Sequence, residues 1–156
     1  LTFALIKMGA KLKINKNSIQ IIPSKKLNGI KIHTAPYPGF PTDLQAQIMA
    51  LMSLANSNSQ IKENIFENRF MHVPELNRLG AKIKVKKDIA HILGNRNFKG
   101  AQVMASDLRA SVSLVLAALC AEGESVINRI YHLDRGYEKI ENTLGKLGPS
   151  IKREKY

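Results

Sequence analysis

The chain has 156 residues, 44% of them apolar and 23% charged, with 24 lysines and arginines against 12 acidic residues and a net charge of +12. This length suits one domain that buries about 70% of its unfolded surface, and the composition excludes a disordered chain. The positive charge favours anionic partners such as nucleic acids, phosphates or carboxylates. A single cysteine, Cys120, excludes an intrachain disulfide, and no apolar stretch has the length of a membrane span. We therefore expect a soluble protein of the reducing cytoplasm.

The elements can be predicted in chain order from apolar periodicity and turn residues. Residues 1–8 have the period of the end of a helix without a start signal, and the chain begins at Leu1 rather than Met, so we expect a truncated sequence. The predicted elements that follow are strands 11–14, 18–22 and 29–33, a helix from residue 42, strand 60–66, helix 74–79, strands 82–85, 89–93 and 101–104, a helix from residue 106, strand 125–131 and helix 137–147.

One pattern, an apolar helical segment followed by glycine, recurs at residues 5–14, 76–85 and 144–149. The glycines are Gly9, Gly80 and Gly148. Glycine tolerates the left-handed conformation that ends many helices, so we predict a helix end at each. The domain organisation predicted from this pattern is one repeat over 10–80, a second over 81–156, and the end of a preceding repeat over 1–9.

Two helix starts also resemble each other, in Thr42-Asp43-Leu44-Gln45 and Ser106-Asp107-Leu108-Arg109. Thr42 and Ser106 are predicted N-caps, and Gln45 would complete a capping box with Thr42. Each helix is predicted to bury one apolar stripe. The stripes are Leu44, Ile48, Leu51, Met52 and Ala55 in the first helix, and Leu108, Val112, Val115, Leu116 and Leu119 in the second.

Each repeat thus comprises three strands, a helix, a strand and a helix. Strand–helix–strand order favours parallel pairing and the hairpins supply antiparallel pairs, which predicts a mixed α/β fold. The repeats differ in a loop, because the segment from Gly29 to Asp43 is twice as long as that from Gly100 to Asp107. The seven added residues include 37–41, Tyr-Pro-Gly-Phe-Pro, which are either a binding element or a stiff connector.

Several charged residues occupy positions that could hold an anionic ligand. Asp43 and Asp107 lie in first helical turns, where they either complement the helix dipole or carry chemistry. Arg109 shares its turn with Asp107, and Arg69 and Arg135 follow predicted strand ends. Surface salt bridges are the alternative for each arginine.

Other residues point to fewer possibilities. Cys120 is predicted to be a small core residue, and the four histidines lack metal-ligand spacing, so no metal is predicted. A nucleic-acid binder would suit the charge, but aromatic residues are only 6% and no strand carries spaced aromatics for base stacking.

Four segments, in their order along the chain, resemble the UDP-N-acetylglucosamine 1-carboxyvinyltransferase family: residues 34–45, 65–76, 107–111 and 130–137. The resemblance implies the enolpyruvyl transferase fold, with repeated β-α-β-α-β-β units in an inside-out α/β barrel-like domain. It also implies transfer of the enolpyruvyl group of phosphoenolpyruvate to the 3′-hydroxyl of UDP-N-acetylglucosamine. Phosphate is released, in the first committed step of peptidoglycan synthesis. No cofactor, nucleic acid or membrane partner is implied.

The resemblance further implies roles for individual residues on the sugar-nucleotide side. Asp43 would face the sugar 3′-hydroxyl as general base, because proton removal must accompany attack on the enol carbon. Ile65 and Phe66 would bind the UDP portion.

On the phosphoenolpyruvate side, Arg109 and the catalytic residue Arg135 would hold the carboxylate of the substrate, with Asp107 and Leu108 shaping the same turn. The proton-donor cysteine of the family, and the lysine and arginines that complete its phosphate site, belong to a second domain, which would be the partner of this chain. Alone, the chain is expected to be inactive. The alternatives are a basic nucleic-acid-binding module and a non-catalytic sugar-nucleotide-binding module.

Overall fold

The computed structural model describes residues 1–22, 24, 26–95 and 97–154. Within them, the elements in chain order are α1 Thr2–Lys7, β1 Lys11–Ile14, β2 Ile19–Ile22, β3 Lys31–His33, a 3-10 helix Thr42–Leu44, α2 Gln45–Ser53, β4 Ser59–Lys62, α3 Val73–Arg78, β5 Lys82–Lys86, β6 Ile89–Leu93, β7 Phe98–Lys99, β8 Gln102–Met104, α4 Leu108–Leu119, β9 Ala121–Glu122, β10 Val126–Asn128, α5 Tyr131–Asp134 and α6 Ile140–Gly145. None of the described helices is long and apolar enough to cross a membrane.

The sheets are mixed, as the sequence predicts. Strand β3 pairs in parallel with β4 across α2, and β8 pairs in parallel with β10 across α4. The hairpins β1–β2 and β5–β6 are antiparallel. Strand β4 also pairs antiparallel with β6, which gives a four-stranded sheet of order β3-β4-β6-β5. This sheet therefore joins the two predicted repeats through main-chain hydrogen bonds.

Two of the three predicted helix ends are confirmed at their glycines, Gly9 and Gly80, whereas the third helix ends at Gly145, three residues before Gly148. Gly9, Gly80 and Gly148 have φ angles of 92°, 106° and 105°. After α1, the amide of Ala10 donates to the carbonyl of Leu5, and Ala81 donates to Leu76 in the same way after α3. These bonds belong to the Schellman motif, in which a left-handed residue turns the chain back on the last helical carbonyls.

The core lies where α2 meets both the sheet and α4. Helix α2 packs against α4 on one side and against β4 and β6 on another. The fully buried side chains here include Met49, Met52, Ile61, Ile92 and Leu114.

The prediction that each helix buries one apolar stripe is therefore incomplete. Helix α2 buries Ile48 and Met52 of its predicted stripe but leaves Leu44 and Leu51 only partly buried. It also buries polar Gln45 and Ser53, because it has two packing faces. In α4 the predicted Leu116 is 36% exposed, whereas Leu114 and Ala117 are buried. The face of α4 toward α2 is thus set by the neighbouring helix.

The predicted caps are corrected at both helix starts. The N-cap of α4 is Asp107 rather than Ser106, and its carboxylate accepts hydrogen bonds from the amides of Arg109 (2.9 Å) and Ala110 (3.0 Å). At the other start, the hydroxyl of Thr42 donates to Glu63, and the buried amide of Gln45 has no hydrogen-bond partner among the described residues. The predicted capping box is therefore absent, and this helix starts with a 3-10 turn.

Three predicted elements are shorter than expected. The predicted strand 60–66 ends at Lys62, because the amides of Asn64 and Ile65 donate to side chains instead of a neighbouring strand. The predicted strand 125–131 ends before Arg129, whose φ angle of 58° turns the chain into α5. The predicted helix 137–147 contracts to α6, which begins after left-handed Lys139. Arg135 consequently lies at the C-terminal end of a helix and not after a strand.

Candidate functional site

A cluster of charged side chains joins residues from the two predicted repeats. Asp43, in the 3-10 turn before α2, contacts Arg109 in the first turn of α4, through the Nε of the guanidinium. Arg69, in the connection between β4 and α3, donates from Nη2 to the same carboxylate at 3.2 Å. Helices α2 and α4 pack together, and the contact between Asp43 and Arg109 shows that their N-terminal ends lie at the same end of the pair. The predicted residues Asp43, Arg69 and Arg109 therefore converge.

Both arginines bind the same oxygen of Asp43. The contacts from Arg69 and Arg109 go to Oδ1, and Oδ2 has no hydrogen-bond partner among the described residues. The carboxylate is 59% exposed. The two cations thus hold the orientation of Asp43 while one oxygen still faces solvent.

Asp107 and Leu108 shape the adjoining turn. The Asp107 carboxylate is engaged by two backbone amides as the cap of α4. The side chain of Leu108 lies against Gly136, where a Cβ atom would be 2.9 Å from Leu108 Cδ1. This contact places Arg135, the preceding residue, beside the start of α4. Its side chain is exposed and makes no polar contact within the described part of the chain.

Ile65 and Phe66 line an open groove of about 1110 Å³ that runs from the β4–α3 connection to the β5–β6 turn. Phe66 is 55% exposed, and the Arg69 guanidinium carbon lies 5.1 Å from the centre of its ring. Arg69 therefore links this groove to Asp43. The guanidinium lies over the face of the ring, as in a cation–π contact.

Glu63, which the sequence reasoning missed, is the buried residue that ties these segments together. Its carboxylate accepts hydrogen bonds from the hydroxyls of Thr34 (2.7 Å) and Thr42 (2.9 Å). It also accepts from the amides of Ile65 (2.9 Å) and Phe66 (3.3 Å). Only 4% of Glu63 is exposed, so these four donors replace the water that a carboxylate requires. The available signal was its place in the predicted strand 60–66, where alternation puts Glu63 on the same face as apolar Ile61 and Ile65.

His72 is a second residue whose environment the sequence did not reveal. It is 3% exposed, and its Nε2 has no hydrogen-bond partner among the described residues. Burial lowers the pKa of His72 to about 4; the nearby Asp107 carboxylate raises it and the Arg69 guanidinium lowers it. The imidazole is therefore neutral at pH 7.

Cys120 corrects one sequence prediction. It caps the C-terminal end of α4 and is exposed, not part of the core. Partial burial nevertheless raises the pKa of its thiol. In the described ranges, no group of three or more His, Cys, Asp or Glu side chains could hold a metal ion.

The family model described as EPSP synthase (3-phosphoshikimate 1-carboxyvinyltransferase) matches residues 2–144, so the chain belongs to this family of enolpyruvyl transferases. Among curated relatives, the UDP-N-acetylglucosamine 1-carboxyvinyltransferase of Pelagibacter ubique is 64% identical over 96% of this chain and 36% of that protein. The protein of the same name from Thermodesulfovibrio yellowstonii is 57% identical over 94% of this chain and 35% of its own length. The resemblance of the four sequence segments is thereby confirmed.

A solved structure carries the same fold. The enolpyruvyl transferase NikO from Streptomyces tendae superposes with a TM-score of 0.90 at 29% identity, over 97% of this chain and 35% of that one. The predicted enolpyruvyl transferase fold is therefore confirmed. The chain spans about a third of the length of these relatives.

Proposed function

We propose that this chain contributes one part of an enzyme that transfers the enolpyruvyl group of phosphoenolpyruvate to the 3′-hydroxyl of UDP-N-acetylglucosamine and releases phosphate. The reaction would be the first committed step of peptidoglycan synthesis, in the cytoplasm. The observation that carries the proposal is the 64% identity to a UDP-N-acetylglucosamine 1-carboxyvinyltransferase over nearly the whole chain. The charged cluster formed by both repeats supplies matching chemistry.

Asp43 is the proposed general base. The attacking hydroxyl must lose its proton as its oxygen bonds to the enol carbon, and a carboxylate within hydrogen-bond reach can accept that proton. The oxygen Oδ2 suits this role because both arginine contacts use Oδ1. Arg69 and Arg109 then act to hold the carboxylate in the direction of the sugar.

Arg109 and Arg135 are the proposed ligands of the phosphoenolpyruvate carboxylate. Arg109 uses its Nε for Asp43, which leaves its terminal nitrogens for a second acceptor. Guanidinium groups bind planar carboxylates in a fixed direction, so a pair of them would orient the substrate. Asp107 supports Arg109 as the cap of α4, and Leu108 supports Arg135 as the surface on which Gly136 packs.

Ile65 and Phe66 are the proposed contacts of the UDP portion. Glu63 fixes their amides, while their side chains face the groove. The groove and the Asp43 cluster are joined by Arg69, so one extended ligand can reach from the first to the second.

The rest of the site is proposed to come from a second domain of the same protein, beyond the repeats 10–80 and 81–156. That domain would supply the proton donor and the cations that bind the phosphate. Nucleic acids and membranes are not among the proposed partners, and no cofactor is required.

The test is phosphate release by the complete protein that contains this chain. We expect release only when both substrates are present, and none with a 3-deoxy analogue of the sugar nucleotide. Release that does not depend on the sugar nucleotide, or no release at all, contradicts the proposed reaction. Residues 1–156 alone are expected to release no phosphate, and turnover by them would refute a site shared with a second domain.

A further inference from the structure

The C-terminal segment is tied to the helix that carries Arg135. Arg153 donates to both oxygens of Asp134, from Nη1 at 2.9 Å and from Nη2 at 2.8 Å. It also donates from Nε and Nη2 to Glu141 in α6, at 3.1 Å for each bond. One guanidinium thus bridges two carboxylates from two different helices.

This contact is more than an ordinary surface ion pair. Exposed single pairs contribute little, but paired forked bonds within a network of charges restrict geometry. Only 33% of the Arg153 side chain is exposed. Its hydrogen bonds lower the pKa of Asp134 and of Glu141, as expected for carboxylates that bind a guanidinium in their charged form.

Helix α5, which Arg153 contacts through Asp134, is too short to be stable without contacts to the rest of the fold. Helix α5 has four residues and no side-chain cap. On one side it is anchored by buried Leu133 and by the packing of Gly136 on Leu108. On the other side, its last residue, Asp134, is held by Arg153. Arg135 follows directly, so these two anchors determine where its backbone lies.

We propose that Arg153 is a positioning residue for the phosphoenolpyruvate side of the site, acting through Asp134 and Glu141 to fix the backbone that presents Arg135. The inference rests on the function proposed above. An error in the placement of a substrate-binding group costs up to about a hundredfold in rate. Arg153 need not touch either substrate for this effect.

The experiment compares kinetic constants for both substrates in the complete protein. We expect Arg153→Gln to raise the KM for phosphoenolpyruvate about tenfold or more, with the KM for UDP-N-acetylglucosamine changed less than about twofold. Arg153→Lys should raise the KM for phosphoenolpyruvate by a smaller amount than Arg153→Gln, because lysine keeps the positive charge but lacks the forked hydrogen-bonding geometry of the guanidinium. Arg135→Gln gives the size of the loss when the binding group itself is removed.

Controls separate positioning from charge and from folding. Lys152→Gln removes an adjacent positive charge that has no ion pair in the described part of the chain, and it should leave both KM values unchanged. If Arg153→Gln fails to fold, Asp134→Asn and Glu141→Gln test the same bridge from its other side. Of these two, Asp134→Asn should raise the KM for phosphoenolpyruvate more, because Asp134 adjoins Arg135.

Each remaining outcome is decisive. An unchanged KM for phosphoenolpyruvate, an equal rise for both substrates, or the same effect from Lys152→Gln overturns the role of Arg153. Failure of the proposed function is distinct, because the unmodified protein would then not turn over the two substrates.

Discussion

At the scale of single residues, the two carboxylate oxygens of Asp43 have different contacts. Oδ1 binds Arg69 and Arg109, whereas Oδ2, the proposed proton acceptor, has no hydrogen-bond partner among the described residues. Removing the negative charge of Asp43 would affect both the proposed proton acceptor and the orientation of the Arg69 and Arg109 guanidinium groups.

We expect Asp43→Asn in the complete protein to lower kcat by about 10²- to 10⁴-fold, the usual contribution of a general base. The asparagine keeps an oxygen for the arginines but cannot take the hydroxyl proton. Steady-state phosphate release measures the effect, with Glu124→Gln, an exposed acidic residue away from the cluster, as the control. A kcat within about twofold of the parent would remove Asp43 from the role of base.

His72 should make stability depend on pH. Its pKa is about 4 in the folded chain against 6.5 in a model peptide. Between these values the unfolded chain binds a proton on His72 that the folded chain does not. The free energy of unfolding therefore falls as the pH falls from 6.5 toward 4, by at most about 1.4 kcal/mol per pH unit from this residue.

Urea unfolding at several pH values tests this slope. In His72→Gln, which is neutral in both states, the fall in stability between pH 6.5 and about 4 should be shallower than in the parent. Above pH 7 the two curves should run parallel. Identical slopes in the acid window would show that His72 does not remain neutral in the fold.

At the scale of elements, the two similar helix starts are stabilised in different ways. Asp107 caps α4 through its own side chain. The start of α2 is instead held from outside, because Thr42 donates to Glu63, a residue of the next strand connection. Two helix starts with similar sequences are thus stabilised differently, one by a contact within its own turn and the other by a contact with a residue distant in sequence.

Glu63→Gln should destabilise the chain by about 1–3 kcal/mol, since a buried carboxylate with four donors would be replaced by a group with one acceptor oxygen. Urea unfolding measures the loss. Glu67→Gln, the same substitution at an exposed position nearby, should change stability by less than about 0.5 kcal/mol. Equal effects for the two variants would mean that the Glu63 network contributes nothing.

At the scale of the whole molecule, the hairpins β1–β2 and β5–β6, which occupy matching positions in the two predicted repeats, have different surroundings. Strand β6 pairs with β4 as well as β5, and its Ala90 and Ile92 are buried. Strand β2 pairs only with β1 within the described residues, and its Ile19 and Ile21 are 54% and 63% exposed.

Amide hydrogen exchange in the 156-residue chain should reveal this difference. We expect the amides of β6 to exchange at least about tenfold more slowly on average than those of β2, because an isolated two-stranded hairpin opens easily. Strands β2 and β6 occupy matching positions in the two predicted repeats, so each serves as the control for the other. Equal protection would contradict the difference in pairing.

Much of the architecture could be predicted because its signals are local. Gly9 and Gly80 mark helix ends through their own backbone conformation, and the hairpins follow from alternating residues around short turns. The charged residues of the candidate site were recognised from their positions at helix starts and strand ends, but their roles were assigned only through family resemblance. From the residues alone, Arg109 could not be distinguished from a surface salt bridge, because its partner lies in the other repeat.

The sequence by itself therefore determined where most helices and strands lie, since these depend on neighbouring residues and on the conformations that each residue tolerates. Only the tertiary structure decided that Glu63 and His72 are buried, that α2 has two packing faces, and that Asp43 meets Arg69 and Arg109. Those outcomes depend on contacts between residues far apart in the chain, which local patterns do not encode.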